Sequence, residues 1–265
     1  MTVSSVIGVH RGTMQMDKNF SLEAHTIATR SEPNPDLEFA DTPIYNLIIE
    51  HSEGTILWDT GVHPDAGDGH WPPGLFEAYP IEDAAKHTLK ADLNRTGYDL
   101  SDIDYVVQSH LHMDHAGGLH NFADKDIPVF VHEAELQYAY FSAQTKEGSA
   151  GYITDDFHHN INWQVISLDR ESYFDGIEFI HLPGHTPGMM GLRVELDSGP
   201  LFFTSDLIEE QANYSQQRPP GPGLVWNREQ WMESFKRVKD EVRRTGAEVI
   251  FGHDLDQLDR ILEGW

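Results

Sequence analysis

Three histidines and an aspartate lie within the short segment His110-Leu111-His112-Met113-Asp114-His115. This segment follows the apolar stretch Tyr105-Val106-Val107, which predicts a buried strand. Buried imidazole and carboxylate groups need polar partners, so packing alone is a poor explanation for such a cluster. The close spacing directs several potential ligands into one small volume and therefore predicts a metal site.

Three further candidate ligands follow short apolar stretches later in the chain. They are His185 after residues 179–182, Asp206 after residues 201–203, and His253 after residues 249–251. Functional sites are commonly assembled at the carboxyl ends of strands when helices cover a sheet. We therefore expect these three residues to converge on the histidine-rich segment.

The combined set of five histidines and two aspartates exceeds what one tetrahedral zinc ion needs and suits two metal ions. The natural partition places His110, His112 and His185 on one ion and Asp114, His115 and His253 on the other, with Asp206 as the bridge. The chain contains no cysteine, so thiolate ligands and a cysteine nucleophile are excluded. Zinc is the first candidate metal, although iron, manganese and cobalt also suit these ligands.

The elements that must position these ligands alternate between strands and helices. A hairpin is predicted from residues 43–50 and 55–58 around a turn at 52–54, and a loop from 61–80. Further strands are predicted at 105–107, 177–182, 201–204 and 248–251, and helices at 81–93, 133–142 and 230–244. This mixture predicts an α/β or layered α+β fold, and the even composition predicts a single domain over residues 1–265.

The charge of the chain narrows the range of partners. The sequence has 18 Lys and Arg against 44 Asp and Glu, a formal net charge of −26. Such a charge argues against nucleic acids and anionic membranes as partners. Because the acidic residues are spread along the chain, we expect them on the folded surface, either as an adaptation to a salt-rich cytoplasm or in an ordinary acidic protein. The absence of a long apolar run or an export signal favours a cytoplasmic location.

The H-x-H-x-D-H motif, the three downstream ligands and Trp58-Asp59-Thr60-Gly61 together resemble the metallo-β-lactamase superfamily. That resemblance implies an α+β fold, a four-layer αββα sandwich. Within the superfamily, the stretches 182–188, 213–214, 234–237 and 252–254 are most similar to the N-acyl homoserine lactonases. The likeness implies a hydrolase with two divalent metals that opens a lactone by attack of a metal-bridging hydroxide, with Asp114 and Asp206 in catalytic roles.

One position departs from the lactonase pattern. Lactonases of this family usually carry a tyrosine three residues after the bridging aspartate, and this chain has Glu209 there. Because an ionised carboxylate cannot donate a hydrogen bond, either Tyr214 or His70 replaces that donor or the substrate differs. The alternative function is that of a glyoxalase II-like thioesterase, which shares all seven ligands, or of another hydrolase of this fold.

Several other positions allow two interpretations. Asp59 either orients a ligand imidazole or caps a turn. Four apolar residues either line an acyl-chain pocket or belong to the core: Met14, Met16, Phe20 and Met113. His120, His158 and His159 are expected outside the ligand set, and the rigid segment 218–223 flanks the pocket, contacts a second subunit of a homodimer or is a connector.

Overall fold

Two β-sheets organise the computed structural model, which describes residues 2–145 and 147–265. The first sheet contains, in spatial order, β1 (Val3–Asp17), β2 (Phe39–His51), β3 (Gly54–Trp58), β4 (Tyr105–Val107), β5 (Pro128–His132) and β6 (Asn162–Ile166). The second contains β7 (Arg170–Phe174), β8 (Ile177–His181), β9 (Met190–Leu196), β10 (Gly199–Phe203) and β11 (Glu248–Ile250). Its spatial order is β11-β10-β9-β8-β7.

Helices lie outside both sheets. In chain order they are α1 (Lys18–Ser21), α2 (Pro73–Ala78), α3 (Leu89–Arg95), α4 (Glu133–Gln144), α5 (Thr154–Phe157), α6 (Gln211–Gln216), α7 (Arg228–Thr245) and α8 (Leu258–Glu263). The longest, α7, begins after Asn227, whose side chain accepts a hydrogen bond from the backbone N–H of Gln230, and ends at Gly246 in the left-handed conformation. Trp231, Phe235 and Val238 form its buried face.

Clusters of buried hydrophobic residues hold these layers together. The two sheets face each other through residues such as Leu47 and Phe203. Ile48, the neighbour of Leu47, points to the opposite face and packs with Leu93 of α3, because successive strand residues alternate between faces. Phe202 similarly packs against α7 on the outer face of the second sheet. The order helix, sheet, sheet, helix confirms the predicted four-layer αββα sandwich.

Strand direction determines where the candidate ligands emerge. In the first sheet β3, β4 and β5 are parallel, with Trp58 paired to Val107 and Val107 to Phe130. In the second sheet β10 and β11 are parallel, with Phe203 paired to Ile250. The segments that follow parallel neighbours leave the sheet at the same edge, so the chain after β4 and the chain after β10 and β11 can meet there.

Most predicted elements occur within a few residues of the expected bounds, and two predictions were wrong. The predicted hairpin is formed by β2 and β3. The predicted loop at 61–80 contains α2, which begins at Pro73, and the predicted helix at 81–93 begins only at Leu89. Thr88 caps that helix by accepting a hydrogen bond from the N–H of Ala91, which explains the late start.

Among the described residues, no helix combines the length and apolar character needed to cross a membrane.

Candidate metal centre

All seven predicted ligands meet at one edge of the two sheets. The segment after β4 supplies residues 110–115, and the segments after β8, β10 and β11 supply the other three. Each side chain is buried: His110, His112, Asp114, His115, His185, Asp206 and His253. Their potential ligand atoms form two close groups, His110, His112 and His185 in one, and Asp114, His115, Asp206 and His253 in the other, with the atoms of each group within 4.8 Å of one another.

The carboxylate of Asp206 lies between the two groups. Its Oδ2 atom lies 3.4 Å from Nε2 of His185 and 3.6 Å from Nε2 of His110. Its Oδ1 atom lies 3.1 Å from Nε2 of His115 and 3.2 Å from Nε2 of His253. One carboxylate oxygen therefore faces each group, which is the geometry that a bridging ligand requires.

Hydrogen bonds outside the centre orient three of the imidazoles. The Nδ1 atom of each lies close to an oxygen acceptor: His115 to Asp59 Oδ2 (2.9 Å), His185 to the Leu224 carbonyl (2.7 Å) and His253 to the Pro43 carbonyl (2.9 Å). A hydrogen on Nδ1 leaves the Nε2 lone pair free to bind a metal. Within the described residues, the buried Nε2 atoms of His110 and His115 have no hydrogen-bond partner. These orphaned nitrogens fit divalent cations.

Asp59 has the contacts that an orienting residue needs. Besides approaching His115, its carboxylate accepts hydrogen bonds from the backbone N–H (2.7 Å) and the hydroxyl (2.8 Å) of Ser109. Its backbone has a φ of 58°, and Gly61 two residues later has a φ of 72°. This tight left-handed turn after β3 brings the Asp59 carboxylate under the metal-ligand segment.

Glu135 was missed by the sequence analysis. Its carboxylate is fully buried and accepts hydrogen bonds from the N–H of Leu111 (2.9 Å) and the hydroxyl of Tyr152 (2.8 Å) through one oxygen. The other oxygen accepts from the Thr186 hydroxyl (2.5 Å) and the Gly188 N–H (3.3 Å). Glu135 therefore connects the segment carrying His110 and His112 to the segment carrying His185. A glutamate in the first turn of a helix is too common to signal this role in sequence.

The electrostatics of the two groups differ. Burial lowers the pKa of His110, of His112 and of His185, so these rings are neutral and can act as ligands. Burial also opposes protonation of His253, but the nearby Asp206, Glu209 and Asp114 carboxylates together outweigh it and raise the pKa of His253 to about 10. The Asp206, Asp114 and Asp59 carboxylates together likewise outweigh burial at His115 and raise its pKa. A dication can replace the protons that these two histidines hold beside the carboxylates.

A cavity opens onto the centre and is mostly apolar at its outer wall. Met14, Met16 and Met113 line it together with Leu75 and Tyr79. The three methionines therefore lie in the positions expected if they line an acyl-chain pocket. Phe20 does not line the cavity but packs against the ring of Tyr79, at 5.4 Å between ring centroids. Gly223, at the end of the 218–223 segment, borders the cavity.

The two residues proposed as replacement donors lie elsewhere, and that prediction was wrong. Tyr214 packs against Phe251 under the Lys239 ammonium group, 3.5 Å from the Tyr214 ring centroid. Nε2 of His70 lies 2.6 Å from Oδ1 of Asp156. The phenol that does line the cavity belongs to Tyr79, directly after α2, in a segment predicted as featureless loop. His120, His158 and His159 join none of the metal-ligand groups found in the described residues.

The sequence of this chain is similar to those of known metal-dependent hydrolases. The profile of the Metallo-beta-lactamase superfamily matches residues 41–253. An N-acyl homoserine lactonase of Bacillus sp is 33% identical over 227 residues, covering 83% of this chain and 84% of the relative. N-acyl homoserine lactonase AiiB of Agrobacterium fabrum is 28% identical over 264 residues, covering 95% and 94%.

A solved structure of similar shape is that of an N-acyl homoserine lactone hydrolase with the product N-hexanoyl-L-homoserine at its catalytic metal centre. It superposes with a TM-score of 0.82 at 25% identity, over 98% of this chain and 97% of that one. The similarity extends over both sheets and the candidate metal centre.

Proposed function

This chain belongs to the metallo-β-lactamase superfamily and, within it, to the N-acyl homoserine lactonases, and from that premise we propose that it hydrolyses the lactone ring of N-acyl homoserine lactones. The observation that carries the proposal is the Asp206 carboxylate, which presents one oxygen to each of two convergent ligand groups. A similar fold binds N-hexanoyl-L-homoserine, the product of such a reaction, at its metal centre.

We propose that the two groups hold two divalent cations, with His110, His112 and His185 on one, Asp114, His115 and His253 on the other, and Asp206 on both. Zinc is the first choice because imidazole nitrogens dominate the ligand set. When bound, the pair of cations supplies activation of water and polarisation of the substrate carbonyl.

The residues of the chain then position and move the proton. Water adds to the lactone carbonyl carbon, and the ring C–O ester bond breaks to release an alkoxide. Asp114 borders the cavity, and its Oδ2 atom lies 3.6 Å from His115 Nε2 and 3.7 Å from His253 Nε2. In that position its carboxylate accepts the proton from water and returns it to the leaving alkoxide, which gives the open-ring acyl homoserine.

Tyr79 and the methionines bind the rest of the substrate. Burial raises the pKa of Tyr79, and the Glu209 and Asp114 carboxylates raise it further, so the phenol keeps its proton and can donate to a substrate oxygen. Met14, Met16 and Met113 offer an adaptable apolar wall to the acyl chain.

The test is proton release during ring opening of a short-chain and a long-chain N-acyl homoserine lactone by the metal-loaded protein. A thioester of the glyoxalase II type serves as the second substrate. We expect turnover of the lactones, its loss in Asp206→Asn, and its retention in His158→Gln, which changes an exposed histidine. Turnover of the thioester without the lactones would overturn the lactonase proposal and favour the thioesterase.

We further propose that the acidic surface is an adaptation to a salt-rich cytoplasm, because molar salt screens the self-repulsion of a net charge of −26. The melting temperature and the lactonase rate are expected to rise together as KCl increases toward about 1 M. Equal stability in dilute buffer would contradict this proposal. A single domain, a homodimer and a cytoplasmic location stay predictions of the sequence.

A further inference from the structure

Glu209 has a buried carboxylate and is not one of the seven proposed metal ligands. It is only 1% exposed and borders the cavity. Within the described residues, neither of its carboxylate oxygens has a hydrogen-bond partner. An ionised, desolvated carboxylate without partners is costly, so it is neutralised either by a proton or by a nearby positive charge.

The neighbours of Glu209 indicate where that charge would lie. Its ligand atom groups with those of His185 and Asp206 within 4.8 Å, and its Oε2 atom lies 4.0 Å from Nε2 of His253. The Lys18 ammonium, the nearby cation, pairs instead with the next residue, Glu210. The open side of the Glu209 carboxylate therefore faces the metal centre.

The backbone holds Glu209 in register with a metal ligand. The N–H of His253 donates to the Glu209 carbonyl (2.9 Å), and the N–H of Gly252 donates to the Ile208 carbonyl (3.0 Å). A Cβ on Gly252 would lie 2.8 Å from the Ser205 carbonyl oxygen, so only glycine permits this close approach of the two segments. The backbone of Glu209 is thus fixed relative to that of His253.

We propose that Glu209 is an additional oxygen ligand of the metal centre, shared with His185 and Asp206. The inference rests on the dinuclear centre proposed above and changes what that centre prefers. A further carboxylate adds a hard oxygen donor and one negative charge, which favours Mn²⁺ relative to Zn²⁺ more than a phenol at the same position would. The substitution of the usual lactonase tyrosine by glutamate is therefore a change in metal chemistry.

The test measures metal binding directly in the full-length protein. Glu209→Gln preserves the size of the side chain and removes its charge, and Glu209→Tyr installs the residue usual in the family. Glu210→Gln is the matched control, because it removes the neighbouring carboxylate that faces Lys18. The readouts are metal content, the rate of metal loss to EDTA, relative affinity for Mn²⁺ and Zn²⁺, and the visible absorption spectrum with Co²⁺.

We expect both Glu209 variants to lose metal to EDTA about tenfold faster or more, to lose affinity for Mn²⁺ more than for Zn²⁺, and to show an altered Co²⁺ spectrum. Glu210→Gln should match the unmodified protein in all four readouts. Unchanged metal loss and an unchanged spectrum in Glu209→Gln and Glu209→Tyr would overturn the proposal, as would equal effects in Glu210→Gln. Failure of the unmodified protein to bind two metals would instead overturn the dinuclear centre itself.

Discussion

Of two histidine clusters in the described part of the chain, one has the geometry of a metal centre. The other, here called the lateral cluster, consists of His63, His70, His120 and His159. In the metal centre the buried Nε2 atoms of four histidines converge on the Asp206 carboxylate. In the lateral cluster the rings of His63 and His70 stack with centroids 3.7 Å apart, and in the described part of the chain the cluster contributes to no convergent ligand group.

The difference lies in what the ring nitrogens face. The Nε2 atom of His70 is hydrogen-bonded to Asp156, and the Nδ1 atom of His120 lies 3.0 Å from the Gly117 carbonyl oxygen. The lateral rings are also only partly buried, whereas the ligand histidines are buried. A high local count of histidines is therefore insufficient for a metal site, which needs oriented lone pairs that meet in one volume.

One substitution in the metal centre and one in the lateral cluster test whether only the former binds metal. Asp206→Asn should lose both metals and reduce kcat/KM at least about 1000-fold, about 4 kcal/mol of transition-state stabilisation, because its carboxylate serves both ligand groups. His70→Gln should keep both metals and most activity. Metal content by elemental analysis and initial lactone hydrolysis rates check both expectations. Metal loss in His70→Gln would show that the lateral cluster belongs to the centre.

Convergence in the metal centre depends on Glu135, which connects the segment carrying His110 and His112 to the segment carrying His185. Glu135→Ala should lower the free energy of unfolding by about 3 kcal/mol, since it leaves buried donors on both ligand segments without their acceptor. Urea unfolding of the metal-free protein measures this loss without a contribution from metal affinity. The control is Glu133→Ala at an exposed position of the same helical turn. A loss no larger than in that control would contradict the connecting role.

Orientation of the lone pairs can be tested at Asp59. Asp59→Asn keeps the size of the side chain but weakens the contact with His115, so metal affinity should fall about 10- to 100-fold. Competition with a chromophoric chelator gives that affinity. An unchanged affinity would mean that burial alone orients the His115 ring.

We expect the lateral cluster to affect how the stability of the protein depends on pH, and not its metal binding. Burial lowers the affinity of His70 for a proton, but its hydrogen bond to Asp156 and the charges of Asp156, Asp155 and Asp65 together outweigh burial and raise its pKa above the ordinary 6.5. A raised pKa in the folded state stabilises the protein fully below the unfolded-state pKa and loses this effect as pH rises through the folded-state pKa.

His70→Gln should therefore cost stability at about pH 5.5 and less at about pH 8.5, with a difference below about 1 kcal/mol because the His70 ring is partly exposed. Chemical denaturation of the metal-free protein and the variant at both pH values measures it. A stability difference that grows with pH would contradict the assignment of the proton to His70.

Local sequence predicted much of this site. The spacing in residues 110–115 and the position of His185, Asp206 and His253 after apolar stretches were sufficient to predict seven ligands and their partition. The strand-like stretches 43–50 and 55–58 around the turn at 52–54 predicted the hairpin, and the resemblance carried by the motif implied the layered fold. The extent of α3 was mispredicted because a threonine cap outweighed continued helical spacing.

The hydrogen-bond partners that orient these ligands could not be predicted from the local sequence. His253 is oriented by the Pro43 carbonyl, 210 positions away in the chain, and His185 by the Leu224 carbonyl. Every residue has a backbone carbonyl, so the sequence contains no signal for these two. Glu135 and Tyr79 are common residue types in ordinary surroundings, and their roles arise from where α4 and the end of α2 pack.

The sequence by itself determined which atoms can bind metal and on which strand ends they lie, because side-chain type and short-range periodicity are local properties. Only the tertiary structure decided which nitrogens are free and that Glu209 faces the centre without a partner. Hydrogen-bond satisfaction and burial depend on segments far apart in the chain, so they exist only once the two sheets have packed together.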